Sequence, residues 1–114
     1  MSKPIKVQIL ERARALIEDQ RCWCRGDLGR DAMDVSVGPI DSNAERRCAL
    51  GALVAAAYEF TNDLHLAHDL AMTAMRPFVG ATALTHINDT EGHAAVLTLF
   101  DIAIERYQEG RANA

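Results

Sequence analysis

"NAERRCALGALVAAAYEF", residues 43–60, is the stretch that sets the architecture. From Cys48 onward almost every side chain is apolar, and a helix that is apolar all round belongs in an interior. Asp41 and Ser42 stand just ahead of it and are good N-cap types. The pattern predicts a buried helix over 43–60, with the rest of the chain wrapped around it. Cys48, Gly51 and Ala55 recur along it at i, i+3 and i+7. A glycine inside a helix costs about 1 kcal/mol against alanine, so this stripe of small side chains implies close approach by something bulky. Trp23, the single tryptophan, is the expected occupant.

The flanking segments carry helical spacing as well. Ile5, Ile9, Ala13, Leu16 and Ile17 form one stripe over residues 4–19, where Pro4 suits a first turn. Thr61-Asn62-Asp63 interrupts the central pattern and caps a helix over 63–76, with Leu66, Leu70, Ala74 and Met75 inward and Pro77 at its end. A short helix is expected at 81–87. Asn88, with Glu91 three residues on, has the form of a capping box for a last helix over 90–108. Val96, Leu97, Phe100, Ala103, Ile104 and Tyr107 form its inward face, and Gly110 stops it before a polar tail. Residues 20–42, rich in glycine and aspartate, break all periodicity. A helical turn near Trp23–Leu28 and a brief extended piece at 34–37 are expected within this long irregular loop. The fold class is therefore all-α, a compact bundle of four to five helices in a single domain over 1–114.

Composition excludes several roles. With 114 residues, a hydrophobic share of 49% and a net charge of −4, the chain has material for a core but no basic run longer than Arg46-Arg47. That argues against phosphate neutralisation, so no nucleic acid is expected as a partner. The N-terminal stretch carries Lys3 and Lys6 but no continuous apolar run or small-residue cleavage site, so no signal segment is expected in it, and no apolar run approaches the roughly 20 residues of a membrane span. Three cysteines, an odd number, point to free thiols in a reducing, cytoplasmic setting.

The chemistry-bearing residues gather in "RCWCRG", residues 21–26, and in later polar groups. Cys22 and Cys24 lack the second paired set of a structural zinc site, although His65 and His68 lie three apart on one helix face. A redox pair needs Cys-x-x-Cys beside a βαβ unit, and neither is present. Cys48 in a first turn beside Arg46 and Arg47 has the setting of an activated thiol. His93 and Asn88 or Asp89 follow it in the order a Cys–His–Asn/Asp arrangement requires. The structural reading explains more: Trp23 plugs the loop against the central helix, Cys24 and Cys48 are small buried hydrophobes, and Asn88-Asp89 cap a helix. No catalytic residue, metal ligand or cofactor is assigned. Trp23, Cys24, Cys48, Asn88, Asp89 and His93 are the candidate binding residues, and they border one cleft if the loop and the 86–93 turn meet.

The pattern W-C-x-G (Trp23, Cys24, Gly26), C-A-L-G-A-L (Cys48–Leu53), I-N-D (Ile87–Asp89) and H-A-A-V-L-T-L-F-D-I-A-I (His93–Ile104) resembles an uncharacterised family of small bacterial and phage-associated proteins. The likeness runs from about residue 10 to 107, with Arg47 standing where that family carries a tryptophan. The resemblance implies a small cytosolic domain and brings no reaction or ligand. A non-enzymatic binding or regulatory module, acting through a helix face or the 21–43 loop, is the leading expectation. A cysteine enzyme using Cys48 or Cys24 with His93, and a metal-binding protein, are the alternatives. Leu64, Met72 and Val79 exceed what the bundle can hide, so a protein partner or a homodimer is also expected.

Overall fold

A computed structural model describes residues 3–110. Five helices form most of it: α1 (Ile5–Ile17), α2 (Ala49–Thr61), α3 (Leu64–Met75), α4 (Ala81–Thr90) and α5 (His93–Gln108). The fold is mostly helical but not purely all-α. Three two-residue strands, β1 (Gly29–Arg30), β2 (Ser36–Val37) and β3 (Arg46–Arg47), make an antiparallel sheet in the order β2-β1-β3. The polar tail beyond Gly110 lies outside the described residues.

The central helix is where the sequence puts it. Every residue from Ala49 to Ala57 except Leu50 is buried, and α2 packs against α1, α3 and α4. α1 buries Val7, Ile9, Leu10, Ala13 and Ile17, so its inward stripe is rotated from the expected one and leaves Ile5 exposed. α5 turns Val96, Phe100, Ala103 and Tyr107 inward as its spacing predicts. The Tyr107 hydroxyl donates to the Ala74 carbonyl at 2.7 Å, tying α5 to α3. On α3 the buried face is Ala67, Ala71, Ala74 and Met75, whereas Leu66, expected inward, is 47% exposed. Alanines at those positions let α3 lie close to α2, which leaves Leu66 on the outer side.

Three boundaries differ from the sequence reading. Helix α2 starts at Ala49 rather than 43, because Arg46 and Arg47 pair with β1 and Cys48 is extended, with ψ 176°. Asp41 caps its own turn instead: its carboxylate accepts from the Asn43 N–H at 2.8 Å. Helix α4 continues through Asn88 and Asp89 to Thr90, so these residues do not open the last helix. Gly92 makes the break, at φ 96°, a conformation that side chains rarely adopt. The helical turn expected at 23–28 falls earlier, as a 3-10 turn over Gln20–Cys22 closed by the Asp19 carboxylate on the Arg21 N–H. The 20–42 loop is therefore only partly irregular, and the extended piece expected at 34–37 reduces to β2.

The stripe on α2 also has a different occupant. A Cβ built at Gly51 would lie 1.9 Å from the Leu28 carbonyl oxygen, so loop backbone, not the Trp23 indole, crosses the helix there.

Candidate functional site

The start of the loop, the start of α2 and the last turn of α4 converge on Asn88. Its side chain is fully buried, the only buried polar side chain among the described residues. Its Oδ1 accepts from the Trp23 indole Nε1–H at 2.7 Å and from the Ala49 N–H at 2.9 Å. Its Nδ2 donates to the Cys24 carbonyl at 3.1 Å and to Asp89 Oδ1 at 3.0 Å. An asparagine amide has two acceptor lone pairs and two N–H donors, and here all four are used. Asp89 Oδ1 accepts in addition from the Gly26 N–H at 3.0 Å, so α4 grips the loop twice.

Trp23 is buried as expected and is held on several sides. The His93 ring centroid lies 5.4 Å away at 52°, and the Arg25 guanidinium carbon sits 5.1 Å from the indole centroid, within cation–π range. His93 Nε2 lies 2.6 Å from the Ile17 carbonyl. A carbonyl only accepts, so Nε2 carries the proton. That leaves His93 pinned at the end of α1 with this nitrogen unable to serve as a base.

Cys48 is the N-cap of α2. Its Sγ accepts from the Gly51 N–H at 3.3 Å, while Ala49 N–H goes to Asn88, so two of the helix's orphan donors are satisfied. Cys48 is 4% exposed, and burial pushes its thiol pKa up despite the N–H groups of Gly51 and Leu50 that favour the thiolate. Burial, reinforced by the neighbouring Cys48, pushes the Cys24 thiol up to about 11. Neither has the depressed pKa and open position that mark a nucleophile. Among the described residues no three His, Cys, Asp or Glu side chains converge as metal ligands, and His65 and His68 lie exposed on α3.

The six sequence candidates thus meet in one cluster. Trp23 and Asn88 spend their polar groups on each other, on Asp89 and on backbone, and His93 Nε2 is engaged by the Ile17 carbonyl. What remains open is a cavity of about 210 Å³ lined by Gly26, Asp27, Leu28, Cys48, Thr85 and Asp89. Sequence reasoning missed Gly51 as the seat of the Leu28 carbonyl and Arg25 as the cation on Trp23. It also missed the apolar turn between β1 and β2. There Met33 is 82% exposed and Val35 56% exposed, on backbone whose Met33 and Val35 N–H groups both donate to Asp31 Oδ1 at 2.9 Å. Arg46 and Arg30 both pair with Asp34 at the foot of this turn, and Arg30 also with Asp27.

No helix among the described residues is long and apolar enough to cross a membrane. No curated protein and no solved structure gives a significant match to the chain. A family model does match, over residues 1–106, and by it the chain belongs to the family of unknown function DUF6197.

Proposed function

We propose that the chain is a single-domain, non-enzymatic binding module whose recognition element is the turn 31–35. The observation that carries this is the exposure of Met33 and Val35 on backbone that is already ordered by Asp31 and braced by Asp34. Preorganisation of this kind lowers the entropy lost on binding, and methionine adapts its shape to apolar partner surfaces. The Trp23–Asn88–Asp89 cluster then serves as the support that fixes the loop on the bundle, rather than as the contact surface. Free thiols at Cys22, Cys24 and Cys48 support a reducing, cytoplasmic setting.

The test is a photo-crosslinking amino acid placed at position 33 and, separately, at position 102, in the native host. A protein adduct formed from position 33, competed away by untagged protein and lost with Val35→Asp, is the expected result. Equal adducts from both positions refute the assignment.

Self-association is a second reading, favoured by Phe60, Leu64 and Leu66, all more than two-fifths exposed around the α2–α3 corner. Met72 and Val79, expected to add to it, are instead partly buried against the core. Light scattering over a wide concentration range decides: a mass that stays at 12.5 kDa rejects the dimer.

A further inference from the structure

Two cysteines each follow one member of a bridged pair, where the loop leaves the bundle and where it returns. Trp23 and Arg47 form a parallel bridge, and the Cys24 N–H donates to the Arg47 carbonyl at 3.1 Å. Cys24 and Cys48 are the next residues on each segment, and Cys48 is still extended, so they occupy the next register position of two stretches running the same way. Paired strands lie about 4.8 Å apart and register partners project to the same face. That falls inside the Cα separation of about 4.4–6.8 Å that a disulfide spans. Cys48 is also close enough to enter the electrostatics around the Cys24 thiol.

The adjoining cavity reaches one of the two cysteines. Cys48 lines the cavity of about 210 Å³ beside Leu28, Thr85 and Asp89, whereas Cys24 does not. Such a space holds several waters, each taking about 30 Å³, and so admits an oxidant of water-like size.

We propose that Cys24 and Cys48 form a reversible disulfide when the protein meets hydrogen peroxide, cross-linking the root of the loop to the N-cap of α2. The Cys48 sulfur, the one at a helix N-terminus with backbone N–H groups aimed at it, gives up its proton and attacks one peroxide oxygen. The O–O bond breaks, water leaves, and Cys48 becomes a sulfenic acid. The Cys24 sulfur then attacks the Cys48 sulfur, the S–O bond breaks and a second water leaves. Two thiols are oxidised and one peroxide is reduced to two waters, so the step balances. Burial makes the reaction slow, since little thiolate is present near neutral pH. The same high thiol pKa makes the product hard to reduce, because the reduced form gains no thiolate stabilisation. The device is therefore a lock set by sustained oxidation, not a rapid sensor.

The experiment uses the full chain with Cys22→Ser, and in parallel the wild type with Cys22 capped by N-ethylmaleimide while folded. Trypsin cuts after Arg21, Arg25 and Arg47, so the product is a peptide of residues 22–25 joined to one beginning at Cys48. On treatment with hydrogen peroxide the folded protein is expected to lose the mass of two hydrogen atoms, to regain it with dithiothreitol, and to melt at a higher temperature when oxidised. Cys48→Ser, whose hydroxyl keeps an N-cap acceptor, is expected to show no such loss. Oxygen adducts without the mass loss overturn the proposal. So does the absence of any change under peroxide that oxidises the guanidinium-unfolded chain.

Discussion

Replacing Asn88 with alanine removes the one side chain that joins loop, α2 and α4. Three buried groups lose their partner: the Trp23 Nε1–H, the Ala49 N–H and the Cys24 carbonyl, which also accepts nothing else described. Each buried polar group left unsatisfied costs about 1–3 kcal/mol. Water entering from the adjacent cavity can relieve part of this, so the low end of the sum, about 3 kcal/mol, is the expected loss. Against a total stability of about 5–15 kcal/mol that is a large fraction, and at about 4 °C per kcal/mol it lowers the melting temperature by about 12 °C. Urea titration followed by far-UV circular dichroism measures it. Trp23, the only tryptophan, reports in parallel whether the loop root has let go. Thr85→Ala, at an exposed position on the same helix, is the control and stays within about 0.5 kcal/mol of wild type. Asn88→Asp keeps both acceptors but puts a second carboxylate beside Asp89, so its stability recovers as pH falls and the acid is protonated. A loss under about 1 kcal/mol for Asn88→Ala refutes the view that this amide holds the loop.

Gly51→Ala reverses a familiar sign: a helix interior ordinarily gains about 1 kcal/mol from that change, whereas here the new methyl meets the Leu28 carbonyl and a loss of about 1–3 kcal/mol is expected. Thermal melting at or above the wild-type temperature is the contrary outcome. Cys24 gives an alkaline signature. Its folded pKa, about 11, lies above the ordinary 9.0, so its stabilising contribution is complete below pH 9 and is lost as pH rises through about 11. Cys48 and Tyr107, also raised by burial, add in the same direction. Denaturation midpoints should therefore fall between pH 9 and 11, and by less in Cys24→Ala; a flat profile across that window counts against the burial argument. Val35→Asp, at an exposed turn position, is expected to leave stability within about 0.5 kcal/mol while abolishing the adduct formed from position 33.

What the sequence made legible follows the periodicity. α2 and α5 were readable because their apolar residues repeat over several turns, and burial simply follows that pattern. The β1–β3 pairing was not, since Arg46 and Arg47 have good helical propensity and become extended only through distant partners, Asp34 and the Pro39 carbonyl. Asn88 was picked out for the wrong reason. Asparagine followed three residues later by glutamate is a helix-start signal in local terms, yet three of the amide's four partners lie 39 to 65 positions away in the chain. No local rule carries that information. Gly51 was flagged correctly as a point of close approach, but the sequence offers nothing to tell an indole from a backbone carbonyl as the visitor. The turn at Met33 escaped notice because two isolated apolar residues among aspartates have no period.

The pairing of Arg30 with Arg46 brings the two ends of residues 31–45 next to each other. A segment that departs and returns at neighbouring points can be exchanged without redirecting the chain on either side. Doubling such a segment adds only about 0.6 kcal/mol of closure entropy. Residues 31–45 are in this sense an interchangeable insert on a helical socket. Sequence and length can change there without disturbing Gly51, Asn88 or the alanine-lined faces of α2 and α3. A foreign turn grafted between positions 30 and 46 should inherit the bundle's rigidity, making the protein a small scaffold for displaying loops.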